Sequence, residues 1–291
     1  MLGAWDVKIG IIGTGRMGSA LAEYLSGKDV ELVVYNRTRA KAEELCGRIE
    51  CSVADTPDNM DDVDAIIVFV FDDLSLMEIV TGEHGLLRLN NKDVLIMNST
   101  TITPMTSMYV YNLLKNNGLH YVESPVYGSR DQARTGKLIT ILAGDEEDLD
   151  LAEEIASIYS QEVFRAGLIP SASALKLALN NIGLVMPALI GESLAILEAY
   201  SVEHEKFLRI ASKLWFGEAV KKYYMRAMSE RQESKFSVAG AAKDYSLIAR
   251  TLHDAGYPAN VSSGLANYYK AAAEVMPEED YPKAMRLLIE E

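Results

Sequence analysis

A chain of 291 residues is long for one hydrophobic core, so two domains are expected. Its 28 Lys plus Arg against 42 Asp plus Glu give a net charge of −14, a surface that repels nucleic acid and anionic membranes; neither is expected as a partner. With 49% hydrophobic and 24% charged residues it reads as an ordinary globular chain, in which any anionic ligand must be held by local cations.

Residues 1–6 have neither a basic region nor an apolar core, so no leader is expected and the cytoplasm follows by elimination. Val7, Ile9, Ile11 and Ile12 then form a short run of strand composition. Gly13, Gly15 and Gly18 follow at the spacing G-x-G-x-x-G, and residues 19–25 continue as helix. The first glycine permits the tight turn, the second lets a pyrophosphate approach the backbone, and the third lets helix and strand pack closely. Phosphates would sit on the free N–H groups at the positive end of the helix. A glycine-rich turn of some other α/β protein is the plainer alternative; the position between strand and helix favours a dinucleotide.

Residues 30–35 read as a second strand, closed by Asn36-Arg37-Thr38-Arg39-Ala40-Lys41. NAD enzymes usually place Asp or Glu at this strand end to accept bonds from the ribose 2′-hydroxyl. Asn36 stands there instead, with Arg37, Arg39 and Lys41 beside it, and a guanidinium can fork onto a 2′-phosphate. NADP(H) is therefore expected, although the same cations could be solvated loop residues. Cys46 and Cys51 straddle a helix end and the next strand and predict a reduced interior without a disulfide framework. No metal site is expected.

Residues 65–71 and 94–97 are apolar runs suited to parallel strands buried on both faces. They end in Phe71-Asp72-Asp73 and Asn98-Ser99-Thr100-Thr101, at the strand ends where doubly wound sheets bind ligands. Asp72, Asp73 and Thr103 read as helix caps, with Pro104 opening a helix to residue 115. Residues 121–124 form a strand stopped by Pro125, and 126–130 follow as a loop. Strands over 138–143 and 162–165 flank a helix over 146–159, and a boundary falls at 167–170. Domains of 1–166 and 167–291 follow.

Everything beyond the boundary reads as helix. Residues 171–200 are apolar nearly all round, with Pro187 expected to kink them and with an uncharged part, 177–191, shorter than the ~20 residues of a membrane span. Further helices are expected near 204–215, 217–229, 239–255, 258–275 and 280–290. Lys176 and Asn180 share one face of the apolar helix. A lysine there is costly unless it is paired, acts as an acid or base, or snorkels near the helix start. Lys243-Asp244 is a second charged pair, closing a run of small residues, and Lys243 alone suggests an ion pair or a surface role.

Four blocks together resemble the 3-hydroxyisobutyrate dehydrogenase (β-hydroxyacid dehydrogenase) family. They are Ile11 through Met17-Gly18; Glu123-Ser124-Pro125-Val126-Tyr127-Gly128-Ser129 with Gly136-Lys137-Leu138; Lys176-Leu177-Ala178-Leu179-Asn180-Asn181; and Phe236 with Lys243-Asp244. The turn Asn36-Arg37-Thr38 is most similar to the NADPH-dependent glyoxylate and succinic semialdehyde reductase branch. The resemblance implies an α/β N-terminal Rossmann domain with a doubly wound sheet, an all-α C-terminal domain, and assembly as a dimer or tetramer. It implies cofactor contacts at Gly13, Thr14, Gly15, Arg16, Met17, Gly18, Asn36, Arg37, Thr38, Lys41, Phe71, Thr100, Phe236 and Lys243. Catalysis would fall to Lys176 and Asn180, and substrate binding to Ser99, Tyr127, Gly128, Ser129 and Asp244.

Tyr127 departs from the family, which usually has serine there to help hold a substrate carboxylate. A tyrosine takes volume and adds an aromatic wall with a phenol at its tip, so longer or more apolar carbonyl compounds should fit better. The expected activity is hydride transfer between NADPH and a small aldehyde or keto acid of semialdehyde, glyoxylate or 3-hydroxy acid type, with Lys176 as general acid and base. An imine reductase of the same fold and a non-catalytic NADP-binding protein are the alternatives. Lys176 argues against both, and the acidic charge argues against the second.

Overall fold

The computed structural model describes residues 7–230 and 233–289; the leader-free start expected at 1–6 and the end of the segment expected over 280–290 lie outside them. The strands are β1 (Val7–Ile12), β2 (Val30–Tyr35), β3 (Ser52–Val53), β4 (Ala65–Val68), β5 (Leu95–Asn98), β6 (His120–Glu123), β7 (Val126–Tyr127), β8 (Leu138–Leu142) and β9 (Ser160–Arg165). Helices α1 (Arg16–Leu25), α2 (Arg39–Cys46), α3 (Asp73–Thr81), α4 (Pro104–Lys115), α5 (Arg130–Ala133) and α6 (Glu146–Tyr159) lie among them. The helices α7 (Ser171–Ala199), α8 (His204–Ala211), α9 (Gly217–Met228), α10 (Val238–Asp254) and α11 (Asn260–Val275) follow. The chain divides into two compact units, Met1–Lys176 and Leu177–Glu291.

In the first unit, six parallel strands run in the order β3-β2-β1-β4-β5-β6. Alternation along each strand sends side chains to opposite faces. Ile9, Ile11, Leu32, Val34, Ile67 and Met97 pack with Leu21, Leu25 and Ile155 on one side. Ile12, Val33, Ile66, Val68 and Ile96 pack with Leu76, Val80, Val110 and Leu114 on the other. This is the doubly wound Rossmann arrangement, and its order reverses between β1 and β4. A second sheet, β7-β8-β9, pairs β7 antiparallel and β9 parallel to β8. Asp72 and Thr103 cap α3 and α4 by accepting the N–H of Ser75 at 2.9 Å and of Thr106 at 3.2 Å.

The second unit is helical. Its core stacks Tyr245 on Tyr269, with ring centroids 5.6 Å apart, and sets Tyr281 edge-on to Tyr223 and Phe236. The Arg226 guanidinium lies over both Tyr223 and Tyr281 and forks onto the fully buried Asp280 at 2.9 and 3.0 Å. The segment α7 passes through Pro187 as one helix. It is also long and apolar enough to cross a membrane by length and composition.

Three expectations are corrected. Cys46 and Cys51 form a disulfide, with Cα atoms 5.1 Å apart. The chain turns after α2, with the Arg48 and Ile49 N–H groups donating back to the Leu45 carbonyl at 2.9 and 3.1 Å, and the spacing of the two cysteines alone did not reveal that they meet. Where a loop over 126–130 was expected, Val126–Tyr127 is a strand and Arg130 opens a helical turn that runs to Ala133; β8 supplies the hydrogen-bonding edge that the two strand residues need. The final segment, Tyr281–Leu288, is a 3-10 helix rather than an α-helix.

Candidate active site

The dinucleotide turn follows β1. Gly13 has φ +97°, and a Cβ there would stand 2.0 Å from the Phe69 carbonyl oxygen. A Cβ on Gly18 would stand 1.9 Å from the Gly13 oxygen, so neither position admits a side chain. At Gly15 a Cβ would meet nothing within 4 Å. That open space lies at the start of α1, which no side chain caps and whose first turn holds no acid. Thr14 Oγ1, beside it, is buried without a partner. An open approach, an uncapped helix start and an unpartnered hydroxyl suit a pyrophosphate.

Asn36 secures this turn. Its Oδ1 accepts the Thr14 N–H at 3.1 Å, and its Nδ2 donates to the Thr38 carbonyl at 3.0 Å. Of the cations that follow, Arg39 is held by Glu43 and Asp55. Arg37 is 81% exposed, with Glu78 at 3.8 Å, and Lys41 is exposed. Met17 packs against the core. Phe71 is exposed beyond β4, whereas Thr100 is buried, its hydroxyl accepting the Val70 N–H at 3.0 Å.

The substrate loop is more committed to the protein than the sequence suggested. Ser99 is buried and donates its one proton to the Ser124 carbonyl at 2.9 Å. Ser129 caps α5, and the Gln132 side chain accepts its N–H at 2.9 Å. Gly128 has φ +146°, and a Cβ there would press on Leu138 at 2.7 Å. Tyr127 does not simply face solvent: the Lys176 ammonium lies over its ring, 4.9 Å from the centroid.

Sequence reasoning assigned no role to Glu123, although it opens the substrate block. It is fully buried at the end of β6, and its carboxylate accepts the N–H groups of Ala172 and Ser173 and the Ser173 hydroxyl at 3.0, 3.3 and 2.5 Å. Burial pushes its carboxyl above the ordinary range although these donors pull the other way. A carboxylate in an apolar strand was the available signal; its partners lie 49 and 50 residues away.

In the second unit Asn180 Nδ2 donates to Asp244 Oδ2 at 2.6 Å, and Lys243 pairs with Asp244 Oδ1 at 2.7 Å. Asn180 and Asp244 are both buried. The Phe236 ring lies against Gly240, where a Cβ would come within 2.9 Å of it.

Residues 8–167 match the family model for the NAD binding domain of 6-phosphogluconate dehydrogenase. The chain is 33% identical to the uncharacterised oxidoreductase YfjR of Bacillus subtilis, over 80% of this chain and 81% of that one. It is 28% identical to mitochondrial 3-hydroxyisobutyrate dehydrogenase of Bos taurus, over 65% of this chain but only 55% of the relative. The chloroplastic glyoxylate/succinic semialdehyde reductase 2 of Arabidopsis thaliana matches at 25% identity, over 71% and 58%. A solved structure of Mycobacterium tuberculosis 3-hydroxyisobutyrate dehydrogenase superposes with a TM-score of 0.82 at 18% identity, covering 98% of this chain and 99% of that one. The chain belongs to the 3-hydroxyisobutyrate dehydrogenase family. It is an oxidoreductase of the hydroxyacid dehydrogenase/reductase kind and binds a nicotinamide dinucleotide.

Gly15→Ala tests the placement of the pyrophosphate. The φ of −73° suits alanine and the space is empty, so the melting temperature should hold while the affinity for reduced nicotinamide dinucleotide falls roughly ten-fold or more. Thermal melts and fluorescence titration measure the two; unchanged affinity would place the phosphates elsewhere. Gly18→Ala should lower the melting temperature as well.

Proposed function

We propose that this protein reduces a small aldehyde or keto acid of the semialdehyde, glyoxylate or 3-hydroxy acid type with NADPH, or runs the reverse oxidation, with Lys176 as general acid and base. The observation that carries this reading is a lysine in an apolar helix whose ammonium is held at the substrate loop, over Tyr127. The cofactor supplies the hydride. In reduction Lys176 Nζ gives a proton to the carbonyl oxygen as charge develops there; in oxidation it takes the hydroxyl proton back. Asn180, oriented by Asp244, bonds the substrate.

Ser129 serves a carboxylate better than Ser99 does. As a cap its oxygen accepts an N–H, which leaves the hydroxyl proton to donate. The Gly128 backbone and the Tyr127 phenol complete the proposed contacts.

Preference for NADP rests on Arg37, exposed and only loosely paired, and on Lys41. Phe236 and Lys243 are proposed as further cofactor contacts. The cytoplasm is the proposed setting. We also take the enzyme to be a homodimer or homotetramer. On α7 the residues Leu175, Leu179, Ile182, Leu189 and Ile196 follow coiled-coil spacing yet are 43–74% exposed.

Lys176→Ala should lower kcat by about 10²–10⁴-fold with little change in cofactor affinity. Near-normal kcat with succinic semialdehyde or glyoxylate would remove the lysine from this role. Arg37→Ala should weaken NADPH roughly ten-fold and leave NADH untouched, a charged hydrogen bond contributing about 1.5–3 kcal/mol; equal losses for both cofactors would overturn the NADP reading. Light scattering at micromolar concentration should give at least a dimer, and Ile182→Asp should split it; a monomeric parent chain refutes the assembly.

A further inference from the structure

The turn over residues 123–127 reaches Lys176 by two routes. The first passes through the backbone. Ala172 and Ser173 lie in the first turn of α7, where N–H groups have no acceptor within the helix. The Glu123 carboxylate accepts both of them and the Ser173 hydroxyl, and it sets negative charge at the positive end of the helix. Lys176 follows Ser173 by three residues, so holding that turn sets the height and direction from which the lysine leaves the helix.

The second route is the side chain. Tyr127 presents its ring 4.9 Å from the Lys176 ammonium, a distance at which the ring quadrupole attracts the charge. A carboxylate in that place would compete for the lysine protons through directed hydrogen bonds. The ring face holds the charge with much weaker demands on where the N–H groups point.

Both routes start from one rigid frame. Glu123 exchanges backbone bonds with Ala143 at 2.8 and 3.1 Å, and the Ser124 N–H donates to the Asn98 carbonyl at 2.8 Å. The Pro125 carbonyl accepts the Ile141 N–H at 3.1 Å. The turn is thus bonded to both sheets of the first unit.

We infer that Glu123 and Tyr127 are positioning residues for the proton-transfer step, Glu123 fixing the first turn of α7 and Tyr127 holding the Lys176 ammonium. This rests on the reading of Lys176 as the acid. It gives the tyrosine that replaces the family's serine a role in placing the lysine.

The test is a set of double-mutant cycles on the full chain, with NADPH and succinic semialdehyde or glyoxylate. Tyr127→Leu should lower kcat roughly five- to thirty-fold with cofactor affinity and melting temperature kept. Tyr127→Phe, which retains the ring face, should recover most of that loss. Glu123→Gln should lower kcat on the order of ten-fold. Ser173→Ala, a smaller change in the same contact, should lower kcat in the same direction and serves where Glu123→Gln fails to fold.

In a Lys176→Ala background Glu123→Gln and Ser173→Ala should lower the residual kcat no further, and Tyr127→Leu should match Tyr127→Phe, which equally lacks the phenol, because each acts on kcat through the lysine. Additive losses in that background would overturn the inference, as would a Tyr127→Phe variant as poor as Tyr127→Leu. Silent Tyr127→Leu and Ser173→Ala variants beside an inactive Lys176→Ala would overturn the positioning alone. A Lys176→Ala variant with near-normal kcat would overturn the lysine's role, and the inference with it.

Discussion

The helix α7 leaves one carbonyl that it cannot satisfy itself, and other elements supply the donors. Pro187 has no N–H, so the Gly183 carbonyl one turn earlier loses its helical donor. The hydroxyls of Tyr223 and Tyr281 face that oxygen at 3.3 and 3.5 Å. Tyr269 donates to the Leu184 carbonyl at 2.8 Å and Tyr245 to that of Asn181 at 3.0 Å. Four tyrosines from α9, α10, α11 and the final 3-10 helix thus serve three carbonyls in a single turn of helix. Burial pushes the Tyr245, Tyr269 and Tyr281 phenols well up, so they remain donors at any physiological pH. Arg226 completes the cluster, its guanidinium lying over two of the rings while Asp280 neutralises it. Removing one member of that ion pair would leave a buried charge, which is far more costly than the pair is stabilising.

The same logic of satisfied polar groups explains the first unit. Its glycine turn is a region where backbone meets backbone, at Gly13 against Phe69 and at Gly18 against Gly13. Only Gly15 is left open, beside a helix start that nothing caps. For a chain with a net charge of −14, such N–H groups are a way to hold a phosphate without adding many cations.

What the sequence made legible was local. The helix over 146–159 is found at those bounds, because acids in its first turn and apolar residues at helical spacing mark it. The glycine spacing located the dinucleotide turn, and the apolar surroundings of Lys176 and Asn180 singled out both. What stayed hidden depends on partners distant in the chain. Glu123 looked like one letter of a motif until Ala172 and Ser173 came against it. Ser99 looked free to bind substrate, but its proton goes to Ser124, 25 residues away. The Cys46–Cys51 bond, although local, depends on the turn that follows α2, and composition argued against it.

Asn180 shows how a buried neighbour narrows what a polar side chain can do. An amide offers a carbonyl oxygen and an NH₂ group, and the sequence cannot say which faces a ligand. An ionised carboxylate is an acceptor only, so the atom of Asn180 that meets Asp244 at 2.6 Å must be the nitrogen. Lys243 holds the other Asp244 oxygen at 2.7 Å and keeps the carboxylate in place. The Asn180 oxygen is thereby turned away from Asp244 and left as an acceptor. An acceptor suits a hydroxyl or an ammonium, and it does not suit a carboxylate. Asn180 is therefore fixed as an acceptor, four residues after Lys176 on α7.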